Sequence, residues 1–163
     1  MKNLHNADIG MKLGQAVTWE TAAGIDSQPL EVNVVFTELG ATAAALKSAE
    51  SLARGLGASI RLRAAIIVPL QLPLDQPPVS VRFMEQLLRD LVSRWESDAF
   101  EHTVHLYICR NWTETLLEAL RPKSLVVIGG LKHLWPTSAT RMARVLRSNG
   151  HQVAFVDARE QTK

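Results

Sequence analysis

From Glu31 onward, short apolar or β-branched runs alternate with segments whose apolar residues recur at helical spacing, and this alternation constrains the fold more than any other feature. Strands separated by helices imply a parallel sheet with right-handed crossovers and helices on both faces. The first run holds Val32, Val34, Val35 and Phe36 and ends at Thr37-Glu38. Thr42 is read as the cap of a following helix with Leu46, Ala49, Ala53 and Leu56 on one side, stopped by Gly55 and Gly57. Ile60 to Val68 is a second strand, polar at Arg61 and Arg63, and a connection with Pro69, Pro73, Pro77 and Pro78 follows it. Val81, Met84, Leu87, Leu88, Leu91, Val92 and Trp95 then form one helical stripe. His102 to Cys109 alternates, which predicts a third strand at a sheet edge. A helix is expected over Thr113 to Leu120. Ser124 to Ile128 is a continuous apolar run, the pattern of a strand buried on both faces, and it ends in Gly129-Gly130. After a loop over Leu131 to Thr137 come a helix through Arg147, closed by Asn149-Gly150, and a last strand from Gln152 to Val156. The expected fold is an α/β domain, an open five-stranded parallel sheet with helices on both faces.

That domain occupies residues 31–158, with an arm over 1–30 and a polar tail over 159–163. The arm has scattered glycines and no sustained apolar period. A short strand is predicted around Ala16 to Trp19, and Trp19 is expected to fold back onto the domain or a partner subunit. A chain of 163 residues buries a core without staples. With 18 Lys and Arg against 16 Asp and Glu, the net charge of +2 excludes a strongly basic nucleic-acid binder. The single cysteine, Cys109, cannot form an internal disulfide and suits a reducing compartment. No apolar run approaches the roughly 20 residues of a bilayer span, and the first residues carry no signal-peptide core. A soluble, cytoplasmic protein with no membrane partner is expected.

Two α/β ligand chemistries are absent. The turn after the first strand, Thr37 to Thr42, holds one glycine and cannot supply G-x-G-x-x-G, and there is no G-x-x-x-x-G-K-[ST] loop. A phospho-receiver reading fails because the third strand ends in Cys109-Arg110 rather than Asp. Four segments instead carry a family likeness. They are Val34-Val-Phe-Thr37 with Thr42-Ala-Ala-Ala-Leu46-Lys-Ser-Ala49-Glu-Ser-Leu52-Ala53, Ile66-Ile-Val-Pro69, Ser124-Leu-Val-Val-Ile-Gly129-Gly130, and Arg144 through Val156. In this order and spacing they resemble the universal stress protein family over roughly Glu31 to Ala158. The resemblance implies, numbering from the Glu31 strand, the strand order 3-2-1-4-5.

It also implies where a nucleotide would lie: the carboxyl ends of the first and fourth of those strands, lined by Thr37, Ile67, Gly129, Gly130, Lys132 and Thr140. ATP-binding members carry Asp where this chain has Thr37. Their phosphate loop runs Gly, two residues, Gly, nine residues, Gly, then Ser or Thr. Gly129 matches its first position, Lys132 falls on the second glycine, and Ala139-Thr140 falls on the final pair after a loop about three residues shorter. Those glycines let backbone N–H groups turn toward phosphate oxygens. Two functions follow as expectations: a non-catalytic regulatory or interaction module with an eroded nucleotide site, or an ATP-binding stress protein with at most slow hydrolysis. The resemblance further implies a homodimer through the last strand, whose Val153, Phe155 and Val156 form an uncharged, β-prone edge.

Other residues carry weaker chemistry. Gly129-Gly130 is either a remnant phosphate turn or a tight turn needing φ > 0. Lys132, Arg141, Arg144 and Arg147 steer an anion or form a solvated face. His102 and His105, three apart on a strand, point to opposite faces and are rejected as metal ligands. Cys109 is a thiol favoured as thiolate by Arg110, or a small buried hydrophobe. Ser138, His133 and Glu114 make no recognisable triad.

Overall fold

The computed structural model describes residues 16–20, 30–95, 102–131 and 137–159, the first of these segments as backbone alone. Its elements are β1 (Ala16–Glu20), β2 (Glu31–Val35), α1 (Leu39–Leu56), β3 (Ser59–Ile67), α2 (Val81–Trp95), β4 (His102–Cys109), α3 (Trp112–Ala119), β5 (Leu125–Gly130), α4 (Ser138–Ser148) and β6 (Gln152–Asp157). One sheet runs in the order β1-β4-β3-β2-β5-β6. From β4 to β6 it is the expected parallel five-stranded sheet, with the expected strand order.

The arm corrects the edge assignment. β1 pairs antiparallel with β4, Ala16 opposite Tyr107 and Glu20 opposite Thr103, so the third predicted strand is not an edge. Its alternation has another cause. Val104 and Leu106 enter the core shared with α1 and α2, while Tyr107 and Cys109 enter the core under α3 and α4. The polar side of β4 joins a buried network rather than meeting water. The Trp19 side chain lies outside the described residues.

Helix boundaries follow local chemistry. α2 covers the predicted span, burying Leu88, Leu91 and Val92. α1 begins at Leu39, with Glu38 as N-cap, so Thr42 is not its cap; the Thr42 side chain is buried in the first turn. Gly57, at φ 60°, ends α1 in the left-handed region that glycine enters without strain. Asn111 caps α3 by accepting from the Glu114 amide at 3.3 Å. His151 is buried, and its Nδ1 accepts from the Ser124 amide at 3.2 Å, tying the start of β6 to the start of β5.

The sheet separates two apolar cores. One joins Val32, Val34, Leu62, Ala64, Leu106 and Val127 to α1 and α2; the other joins Val35, Val126 and Ile128 to α3 and α4. In the second layer lies a buried polar chain. Arg63 is 3% exposed; its Nε donates to Asn33 Oδ1 at 2.8 Å and its Nη1 to the Tyr107 hydroxyl at 2.5 Å. Burial pushes the Arg63 pKa down, and Arg61 adds to that, while Tyr107 and Glu31 oppose it. Beside it Arg61 pairs with Glu31 at 2.7 Å. Among the described residues no helix is long and apolar enough to cross a membrane.

Candidate functional site

In an open parallel sheet ligands bind outside the carboxyl ends of the strands, where the chain leaves in opposite directions from neighbouring strands. Here that point lies between β2 and β5. Its geometry is set by small residues. α1 buries Ala41, Ala44, Ala45, Ala49 and Ala53, whose short side chains let the helix backbone approach the sheet. A Cβ on Gly129 would stand 1.9 Å from the Ala41 carbonyl oxygen and 2.5 Å from its carbon. Gly129 is therefore a contact point between helix backbone and strand backbone.

Gly130 faces the other layer. A Cβ there would lie 2.8 Å from Phe155 Cζ and 3.1 Å from Ala139 Cβ. Both glycines lie within β5, and the positive-φ glycines among the described residues are Gly57 and Gly150. The reading of Gly129-Gly130 as a turn needing φ > 0 is thus corrected. What the pair supplies is the absence of a side chain on each face of the strand.

Thr37 closes the same point from β2. Its hydroxyl donates to the Gly129 carbonyl at 2.8 Å, and its amide donates to Thr42 Oγ1 at 3.1 Å. Thr42 in turn donates its own amide to the Glu38 carbonyl at 2.8 Å. Thr37, Thr42, Ala41 and Gly129 thereby form one hydrogen-bonded and close-packed knot. Glu38 is exposed at the helix N-cap and makes no side-chain cap hydrogen bond.

The other expected site residues divide. Thr140 sits in the first turn of α4, which Ala139 holds against Gly130. Its hydroxyl donates to the Thr137 carbonyl at 2.8 Å, and its amide donates to Thr137 Oγ1 at 3.2 Å. Ile67, at the carboxyl end of β3, is 52% exposed and presents an apolar surface beside the crevice. Lys132 and His133 lie outside the described residues. Arg141, Arg144 and Arg147 are exposed on α4 while Ala143 and Leu146 are buried, as expected of a solvated face.

Cys109 behaves as the buried hydrophobe. It is 8% exposed, and burial pushes its thiol pKa up, against a smaller opposing hydrogen bond from Thr115. Arg110 does not serve it: the guanidinium donates to the Val68 carbonyl at 3.1 Å and to that of Pro69, fixing the start of the proline-rich connection. His102 meets Trp95 edge-on and His105 stacks on Tyr107, so the two lie on opposite faces. Sequence reasoning missed the Asn33–Arg63–Tyr107 chain. Its signal was the arginine at alternate positions of a strand otherwise reading as core.

No family model matches the chain, and no curated protein matches it by sequence. Solved structures do. A universal stress protein from Archaeoglobus fulgidus superposes with a TM-score of 0.56 at 17% identity, covering 78% of this chain and 93% of its own. A universal stress protein family member from Burkholderia pseudomallei gives a TM-score of 0.48 at 19% identity, covering 81% of this chain and 98% of its own. The chain has the universal-stress-protein fold, and β1 pairs antiparallel beside its five parallel strands.

Proposed function

We propose that this chain is a non-catalytic module of the universal-stress-protein type that acts by assembling with protein partners, first with a second copy of itself. The observation that carries this reading is the bond from the Thr37 hydroxyl to the Gly129 carbonyl, 2.8 Å long, at the position where nucleotide-binding members of the family are expected to carry Asp. A nucleotide needs two things at that point: a side chain free to receive it and backbone amides free to turn toward phosphate. Thr37 has one hydroxyl, and its proton is spent inside the knot. Gly129 is held against α1. Thr140, the hydroxyl nearest in kind to a phosphate ligand, donates back to its own helix cap.

A second reading, ATP binding with at most slow hydrolysis, draws support from two features. Ile67 offers an exposed apolar surface on which a base can lie, and the first turn of α4 is a helix N-terminus suited to anions. Calorimetric titration of ATP with Mg²⁺ decides between the two readings. Assembly without nucleotide predicts a Kd weaker than about 1 mM for the unaltered protein. Thr37→Asp is expected to bind no better, because a carboxylate has no proton for the Gly129 carbonyl and two acceptors are then brought face to face. Micromolar binding by the unaltered protein, or tight binding restored by Thr37→Asp alone, would overturn the proposal.

A further inference from the structure

The buried polar chain across β2, β3 and β4 is rich in donors and short of acceptors. Arg63 is 3% exposed; its Nε donates to Asn33 Oδ1 at 2.8 Å and its Nη1 to the Tyr107 hydroxyl at 2.5 Å, both neutral acceptors. The remaining guanidinium N–H groups have no acceptor among the described residues. A guanidinium accepts nothing, so Tyr107 Oη receives from it and keeps its own proton to give. Two more donors lie on the same side of the sheet. Trp112 is 8% exposed and packs its ring on that of Tyr107, centroids 5.4 Å apart. Its Nε1 is buried with no partner among the described residues, and so is Nε of Arg61, which precedes Arg63 at the alternate position of β3.

Charge is unbalanced in the same place. Glu31 shares this side of the sheet, but it pairs with Arg61 at 2.7 Å and, from the solvent side, with Arg121 at 3.8 Å. Arg63 makes no ion pair among the described residues. The register of β1 brings Thr18 opposite His105, on the row of Arg63, and Glu20 opposite Thr103, on the row of Arg61. His105, its pKa lowered to about 4, is neutral at pH 7 and adds no charge of either sign. A buried charge is costly unless an opposite charge and hydrogen bonds meet it. Water satisfies donors but brings no charge. What this layer lacks is an acceptor-rich group carrying a single negative charge.

We infer that Arg63 and Tyr107 hold a small monocarboxylate between the sheet and α3, with the Trp112 indole N–H as a further donor. A carboxylate has only acceptors, and its planar fork matches the two terminal nitrogens of a guanidinium. Its one charge equals the one that Arg63 leaves uncompensated, whereas a phosphate dianion brings a second with no cation left to meet it. Solvent reaches this layer at Ala65, which stands opposite Tyr107 and is half-buried, as are Thr103 and His105. The apolar neighbours Cys109 and Leu116 suit a short aliphatic tail on the ligand. The site is separate from the β2–β5 crevice: Thr37 and Gly129 contribute nothing to it, and it does not depend on assembly.

The test uses acetate as the probe, titrated into the ¹⁵N-labelled full chain at constant ionic strength, with chloride and phosphate in parallel. The readout is the indole N–H resonance of Trp112, assigned through Trp112→Phe. The expected result is a saturable shift with acetate at a Kd of about 1–10 mM, the range open to so small a ligand, and none with chloride. Phosphate should bind at least about tenfold more weakly than acetate. Tyr107→Phe keeps the ring and removes the hydroxyl, and should weaken acetate at least about tenfold; Arg63→Met should abolish the shift. Circular dichroism checks both folds, and Tyr107→Phe alone carries the test if Arg63→Met does not fold. No saturable shift, equal binding of acetate by Tyr107→Phe, or tighter binding of phosphate than of acetate would each overturn the assignment.

Discussion

The sharpest consequence of the β2–β5 knot is that two glycines beside it, Gly129 and Gly40, should respond to the same substitution with opposite signs. Gly129→Ala puts a methyl 1.9 Å from the Ala41 carbonyl oxygen, whereas Cβ atoms essentially never come within 3.0 Å of a neighbour, so the two backbones must separate by at least 1.1 Å (3.0 minus 1.9). Neither neighbour is a side chain that can rotate away. α1 is pinned by the Thr37 amide on Thr42 and by a row of buried alanines. A gap of that size forfeits roughly a quarter to a half of the local dispersion contact. Overpacking of this kind costs about 1–3 kcal/mol, and a backbone-to-backbone clash belongs at the upper end. At roughly 2–4 °C per kcal/mol for a domain of this size, about 3 kcal/mol lowers Tm by roughly 6–12 °C. Gly40, one residue before Ala41 in the first turn of α1, has nothing within 4 Å of its Cβ position. Gly40→Ala therefore gains helix propensity, up to about 1 kcal/mol. Thermal and urea unfolding of both variants, and of Gly129→Ala in the Gly40→Ala background, measure the difference. A Tm for Gly129→Ala equal to that of the unaltered protein would refute the packing of α1 on β5. The same contact makes Gly129→Val useless as a probe of ligand binding, since it perturbs the fold before any ligand arrives.

Two further outcomes test the buried polar layer. Tyr107→Phe removes the phenol oxygen that accepts from the Arg63 guanidinium and should cost about 1.5–3 kcal/mol in urea unfolding; adding Arg63→Met should recover much of that, and additive losses would sink the idea that the two groups form one unit. His105 has its pKa lowered from 6.5 to about 4, first by burial and then by the charges of Arg63 and Arg61. The unfolded chain therefore binds the extra proton between those values, stability rises with pH across the window, and acidification from about pH 6.5 to 4 weakens the fold. Subtracting the stability–pH curve of His105→Gln should leave a step confined to that window; parallel curves would remove His105 from the account.

Where the governing contacts are local, the sequence was legible. α2 is bounded by its own stripe, and the continuous run before Gly129 marks β5 because burial on both faces removes every polar residue from a strand. The central order of the sheet followed from the family likeness. Three features were hidden for one physical reason: they depend on partners far along the chain. The Thr37 hydroxyl meets a carbonyl 92 positions away. Two adjacent glycines resemble a turn in one dimension, and only the arrival of α1 on one face and Phe155 on the other reveals why both side chains are missing. The alternation of β4 gave polarity correctly but edge status wrongly, because an inward arginine makes a polar face as well as water does.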